Sequence, residues 1–298
     1  MSDPVPVPKR FSRAHLAAAV AFGAASLLAP FGAAAAAPLL LFCVLCGAAP
    51  FFPSWRFFLP IATRGSRTSR KVALTFDDGP NPATTPRLLE LLARHGVRAT
   101  FFVVGKRVEA EPGLLEAIRR AGHEVGNHSY SHDPFLMLRS TSVLRREVAD
   151  CQRLLKSLGV RPLSFRPPVG ITNPRLGPVL RELGLACVGF SCRPVDFGNR
   201  RIDALARAVE RRARGGDVIL LHDCEPHEQP AQRWLDEIDR LIAALRAARL
   251  EMVPLSELLG FPVMLPSADH AKAPDPPLAA PPVARASTVP VEQRNIVC

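Results

Sequence analysis

The alternation of apolar and polar positions divides the chain into three regimes. From Ala14 to Trp55 there is no Asp, Glu, Lys or Arg, and the next charge is Arg56. That run is about twice the ~20 residues a membrane-spanning helix needs, and Pro30-Phe31-Gly32 interrupts it near its middle. The pattern predicts an N-terminal transmembrane helical hairpin with short spans near 15–30 and 33–52. A signal peptide, for which the run is too long, and one span followed by an interfacial segment are the competing readings.

From Lys71 onward, short apolar runs alternate with amphipathic stretches. Strands are predicted at Val72–Asp78, Ala99–Gly105, Glu124–Ser129, Ser164–Gly170, Ala186–Cys192, Asp217–Asp223 and Glu251–Leu255. Helices are predicted near 84–95, 111–121, 140–158, 174–184, 202–214 and 231–249. The segments 87–94 and 238–246 place their charges on one helical face. Strand-helix alternation implies a parallel sheet, open or closed, and in a barrel of this kind chemistry collects at the C-terminal ends of the strands. After Gly260 the chain turns rich in proline and alanine without periodicity, as a disordered tail does. The resulting division is 1–13 basic segment, 14–55 membrane anchor, 56–70 basic linker, 71–262 catalytic domain and 263–298 tail.

Charge changes this picture in one respect. The formal net charge is +11, which suits an anionic partner, yet only 6% of residues are aromatic and no basic run is interleaved with them. Nucleic acid is therefore a poor candidate partner. Lys9, Arg10 and Arg13 precede the apolar run, and Arg56, Arg64, Arg67, Arg70 and Lys71 follow it. The excess of cations at both flanks favours a cytoplasmic catalytic domain, and an odd number of spans would reverse that side. The seven cysteines are odd in number and lack framework spacing, so no disulfide scaffold is implied.

Candidate chemistry begins with Val72-Ala-Leu-Thr-Phe-Asp-Asp-Gly-Pro80, a strand that ends in two carboxylates. Neighbouring side chains at a strand end point to different sides, so Asp77 and Asp78 can serve different purposes, although an isolated Asp-Asp-Gly reads better as a hairpin turn. His128 and His132, four residues apart, would face the same side of a helical turn and could share a metal with Asp78. Arg166 follows an apolar strand start, and a buried arginine needs a carboxylate. His222 ends the apolar run Val218-Ile-Leu-Leu and is either a core histidine or a general acid. Phe135-Leu-Met-Leu138, beside the histidine pair, could line an acyl-binding surface or begin a buried helix. His95, His123 and His227 lie outside any motif and read as surface or packing residues.

These stretches resemble, in order, the motifs of the polysaccharide deacetylases, carbohydrate esterase family 4 with its NodB-type homology domain. The resemblance covers about residues 71–258 and rests on Thr75-Phe-Asp-Asp-Gly-Pro80, His128-Ser-Tyr-Ser-His132, Arg166-Pro-Pro-Val-Gly170, Asp196-Phe197 and Ile219-Leu-Leu-His222. It implies a distorted (β/α)7 barrel and a hydrolase acting on carbon–nitrogen bonds other than peptide bonds. By the same resemblance Asp77 is the general base, and Asp78, His128 and His132 bind a divalent metal, zinc by family habit, with cobalt or another ion possible. Arg166 positions the base, His222 is the acid, Asp196 tunes it, and Pro168, Val169, Gly170 and Leu220 surround the substrate and oxyanion.

Three positions depart from the family pattern. Val169 replaces a customary aromatic residue, Arg193 an acidic one and Phe197 a tryptophan. An added cation and fewer stacking rings point away from an ordinary neutral glycan chain. The expected substrate is an N-acetylated amino sugar in a cell-envelope glycan or glycolipid precursor at a bacterial-type inner membrane. The alternatives are a deformylase or deacylase acting on a lipid-linked sugar and a carbohydrate-binding pseudoenzyme; the resemblance also permits a periplasmic domain.

Overall fold

The computed structural model describes residues 6–9, 11–196 and 198–265. The apolar N-terminal stretch forms α1 (Arg13–Leu27) and α2 (Ala36–Ala48), which touch each other. Between them the backbone leaves the helical region at Gly32, with φ 62° and ψ −121°, a conformation open to a residue without Cβ. The run Ala29–Phe51, which contains that break, is 23 residues long, and its most apolar stretch has a mean hydropathy of 2.1, enough by length and composition to cross a membrane. At 15 residues α1 falls short of that length. Among the described residues, one candidate span therefore stands where a pair was expected.

The start of the chain is tied to the rest by hydrogen bonds from both backbone and side chains. The Ala14 amide donates to the Phe57 carbonyl at 2.9 Å, and Arg13 Nη1 donates to the Trp55 carbonyl at 3.0 Å. Arg181 Nη1 reaches the Lys9 carbonyl at 3.0 Å.

The catalytic region is a curled sheet of seven parallel strands: β1 (Lys71–Asp77), β2 (Thr100–Val103), β3 (Glu124–Asn127), β4 (Ser164–Phe165), β5 (Ala186–Cys187), β6 (Val218–His222) and β7 (Glu251–Met252). Spatial order is β5-β4-β3-β2-β1-β6, with β7 paired only to the first residues of β1. Beyond β5 the curl touches β6 at an isolated bridge, Cys192 beside Ile219, rather than along a paired strand, so the expected barrel is a half-barrel. The fourth strand is shorter than predicted because Pro167 and Pro168 have no N–H to extend the ladder.

Alternation along β1 decides what faces what. Val72, Leu74 and Phe76 share one core cluster with Leu88, Leu92 and Trp234 of the helical layer, and Ala73 belongs to another with Val218 and Val253. Thr75 and Asp77 lie on the same side of β1 as Ala73. The surrounding helices include α3 (Thr85–Arg94), α4 (Gly105–Ala110), α5 (Pro112–Arg120), α6 (Thr141–Ser157), α7 (Leu176–Leu183), α8 (Leu205–Glu210), α9 (Ala231–Ala247) and α10 (Leu255–Leu259). The unanticipated ones, α4 and α10, have six and five residues, too few to show a helical period.

The packed region also extends past 71–262 on both sides. Ile61 is 3% exposed and Val263 fully buried, and the Val263 carbonyl accepts from the Leu163 amide at 2.8 Å. The expected tail therefore loses 263–265 to the fold, because an apolar side chain there completes the core; residues 266–298 lie outside the described residues.

Candidate active site

The site is built where β1 and β6 end. Their parallel register pairs Asp77 with His222, placing the two residues side by side at the strand ends. Asp77 is 5% exposed and accepts a hydrogen bond from Arg166 Nη1 at 2.7 Å. The same nitrogen donates to Thr75 Oγ1 at 2.8 Å, Nη2 donates to the Gly189 carbonyl at 2.9 Å, and the guanidinium carbon lies 4.0 Å from the centre of the Phe102 ring. This arginine, 1% exposed, has the carboxylate partner that a buried cation requires.

Asp78 leaves the strand with φ 72° and turns away from its neighbour toward the histidines. Its Oδ1 lies 3.0 Å from His132 Nε2 and 3.4 Å from His128 Nε2. The histidines do not lie on a helical turn, contrary to what their spacing suggested. They flank a loop in which Ser129 and His132 both take positive φ, 70° and 55°. Side chains hold that loop: Asn127 Oδ1 accepts from the Ser129 amide at 2.9 Å, and Ser129 Oγ from the His132 amide at 3.1 Å.

The donor set fits a metal. His128 Nδ1 sits 2.8 Å from the Arg166 carbonyl, which can only accept, so Nδ1 carries a proton and Nε2 is the nitrogen that faces Asp78. Two imidazole nitrogens and a carboxylate oxygen, all buried, offer ligand atoms within 4.8 Å of one another. Burial opposes ionisation of Asp78, but hydrogen bonds with His128 and His132 outweigh it and hold the carboxyl well below its usual range. For His132, burial disfavours the charged ring, and Asp78 more than offsets it and raises the pKa. The cluster thus attracts positive charge, and two histidines with one carboxylate make an open coordination set.

His222 lies opposite this cluster, with Nδ1 2.9 Å from Asp196 Oδ2. Burial works against its charged form, but the hydrogen bond and negative field of Asp196 prevail, and the pKa is pushed up to about 9. With Nδ1 engaged, Nε2 is the nitrogen left for a ligand. Asn199 Nδ2 fixes the backbone beyond the strand by donating to the carbonyls of His222 and Cys224 at 3.0 and 2.7 Å.

Asp77, Asp78, His128, His132, Asp196 and His222 border one cavity of about 340 Å³, together with Val169, Gly170, Arg193 and Leu220. Pro168 is buried beneath it, and Val169 at φ 52° and Gly170 at φ 72° turn the chain into its wall. Phe197 lies outside the described residues. The apolar stretch after His132 lines no part of this cavity: Leu136 and Met137 pack inward, and Phe135 and Leu138 are exposed.

Two supporting residues escaped the sequence reading. Thr75 Oγ1 donates to the Ile219 carbonyl at 2.8 Å while receiving Arg166, linking β1, β6 and the arginine. Asp223, fully buried, receives the hydroxyls of Thr84 at 2.7 Å and Thr85 at 2.6 Å, and its amide donates to the Asp77 carbonyl at 2.8 Å. Its position right after His222 was the available signal. His123 is also buried, its Nδ1 accepting the Ala99 amide at 3.1 Å, and burial lowers its pKa to about 4.

The sequence is similar to known proteins over this same region. The model of the family described as polysaccharide deacetylase matches residues 64–188. A chitooligosaccharide deacetylase of Sinorhizobium fredii is 36% identical over 63% of the chain and 88% of that protein. The peptidoglycan-N-acetylglucosamine deacetylase PgdA of Listeria monocytogenes is 34% identical over 65% of the chain, and the match spans only 40% of that longer protein. The crystal structure of the Bc1960 peptidoglycan N-acetylglucosamine deacetylase superposes with a TM-score of 0.63 at 30% identity, covering 68% of this chain and 94% of the other. With its ordered site residues on the same curled sheet, the chain belongs to the polysaccharide deacetylase family, carbohydrate esterase family 4.

Proposed function

We propose that the protein is a metal-dependent hydrolase that removes N-acetyl groups from amino sugars of a cell-envelope glycan or glycolipid precursor. The observation that carries this reading is the division of the Asp77-Asp78 pair, with Asp77 registered against His222 and held by Arg166, and Asp78 turned to His128 and His132. The peptidoglycan and chitooligosaccharide deacetylases among its relatives support the choice of an N-acetylated sugar.

In this reading Asp78, His128 and His132 hold a divalent cation, zinc being well suited to two imidazoles and a carboxylate. Bound there, the ion supplies a Lewis acid that acidifies water and polarises the amide carbonyl. Asp77, restrained at Oδ1 by Arg166, takes the proton of the attacking water on its other oxygen. The backbone N–H of Val169 donates to the developing oxyanion, and Pro168, Gly170 and Leu220 shape the wall around it. His222, its ring aligned by Asp196, gives the Nε2 proton to the departing amine. Acetate and the free amino sugar are the products. The run Ala29–Phe51 anchors the domain to a membrane, with α1 as its partner in a hairpin.

The test is amine release by the metal-loaded full chain from N-acetylchitooligosaccharides and peptidoglycan fragments. Release that is abolished by Asp77→Asn is the expected result, and no release from any N-acetylated sugar would contradict the reading.

A further inference from the structure

We propose that a second, larger cavity is the subsite for a phosphate group on the substrate, so that the amino sugar is presented on a lipid phosphate. The inference rests on the deacetylase reading and names the substrate class for that same cleft. The cavity, about 520 Å³, adjoins the smaller one, sharing Val169, Gly170, Phe190 and Arg193 with it.

Its lining carries Arg64, Arg193, Arg212 and Arg166 and not one Asp or Glu. Arg166 is neutralised by Asp77. The side chains of Arg64, Arg193 and Arg212 make no hydrogen bond or ion pair among the described residues, and Arg193 only overlies the Phe190 ring at 5.5 Å. Three unpaired guanidinium groups around one hollow repel one another, and an anion between them relieves that repulsion. Their planar forks suit phosphate oxygens in particular. An uncharged glycan would leave all three without a partner.

The apolar part of the lining specifies the rest of the ligand. Phe51, Phe52 and Ser54, at the end of the apolar run Ala29–Phe51, line the same cavity. Phe51 is 68% and Phe52 49% exposed, so they form an apolar edge open to the cavity's exterior. A ligand whose sugar reaches Asp77 and Asp78, whose phosphate meets the arginines, and whose hydrocarbon chain leaves along these phenylalanines satisfies every part of the cleft. A membrane-resident chain would follow the helical run out of the site.

The experiment is calorimetric titration of the full chain in zwitterionic detergent with EDTA, using farnesyl phosphate, farnesol and inorganic phosphate as probes. Farnesyl phosphate is expected to bind at least about tenfold more tightly than either fragment, the worth of a charge-assisted contact added to apolar burial. Arg64→Gln/Arg212→Gln, two exposed positions, should erase that advantage, while Arg146→Gln, exposed on α6 and lining neither cavity, should keep it. Equal binding of farnesol, or unchanged binding by the double variant, would overturn the phosphate subsite. Inorganic phosphate binding as tightly as farnesyl phosphate would overturn the lipid. Amine release from N-acetylchitooligosaccharide by the metal-loaded chain reads the reaction separately: turnover there without phosphate-dependent binding sinks only the subsite, and binding without turnover sinks only the reaction.

Discussion

Arg166 donates to Asp77 at 2.7 Å where both side chains are almost completely buried, and that single contact fixes the orientation of the proposed base. Arg166→Met leaves the carboxylate buried without a counter-charge and removes the donors to Thr75 and Gly189. A loss of about 3–5 kcal/mol is expected in denaturant unfolding. Arg166→Lys recovers only part of it, because one ammonium cannot reach Asp77, Thr75 and Gly189 with the geometry of a guanidinium fork.

The His222–Asp196 contact predicts a pH dependence. The folded pKa of His222, about 9, lies above its ordinary 6.5, so the histidine contributes stability that is present in full below about 6.5 and lost as pH rises through about 9. The same titration removes the proton of the proposed acid, so kcat/KM should fall on the alkaline side. Asp196→Asn takes away the hydrogen-bonded anion, and NMR titration of the metal-free chain should then find His222 well below 9, with the alkaline limb of the rate profile displaced in the same direction.

Gly79 and Asp223 are packed so closely that a Cβ on Gly79 would lie 2.4 Å from Asp223 Oδ2 and 3.0 Å from its Cγ. The carboxyl cannot swing aside, because the Thr84 and Thr85 hydroxyls hold its two oxygens. Gly79→Ala should cost about 1–3 kcal/mol and displace the adjacent Asp77-Asp78 pair, reducing turnover. In a double-mutant cycle with Asp223→Ala, the penalty of Gly79→Ala should shrink; strictly additive penalties would mean the clash is absent.

Acid should destabilise the fold through His123. Burial keeps its ring neutral and lowers the pKa from 6.5 to about 4. The unfolded chain takes up a proton that the folded chain refuses, so this contribution to stability is lost as pH falls from about 6.5 toward 4. His123→Gln, which cannot be protonated, should flatten that part of the stability profile.

What could be read from the sequence was governed by how local its cause is. The strand that carries Asp77 and Asp78 was visible because an unbroken apolar run ends in the carboxylates, and all seven strands were found near their observed starts. Their ends were overestimated where backbone chemistry intervenes, as at Pro167 and Pro168. The spacing of His128 and His132 brought them together correctly in pairing but in the wrong conformation, since the left-handed turns at Ser129 and His132 depend on Asn127 and Ser129 side chains rather than on periodicity. Asp223 stood only as the last residue of a predicted strand, because the hydroxyls that bury it come from Thr84 and Thr85, far away in the chain. Arg64 and Arg212 were unreadable as a pair for the same reason: only the folded chain brings them to one cavity.

The central claim is that adjacent aspartates divide the work, Asp78 with the metal and Asp77 with the proton. Its most direct test is to measure, on the same preparations, stoichiometric zinc binding and amine release for Asp77→Asn, Asp78→Asn, His128→Ala and His132→Ala. The account predicts that Asp77→Asn binds about one zinc and loses turnover, and that the other three lose the zinc itself. Zinc binding unchanged in the histidine variants, or turnover retained by Asp77→Asn, would contradict it.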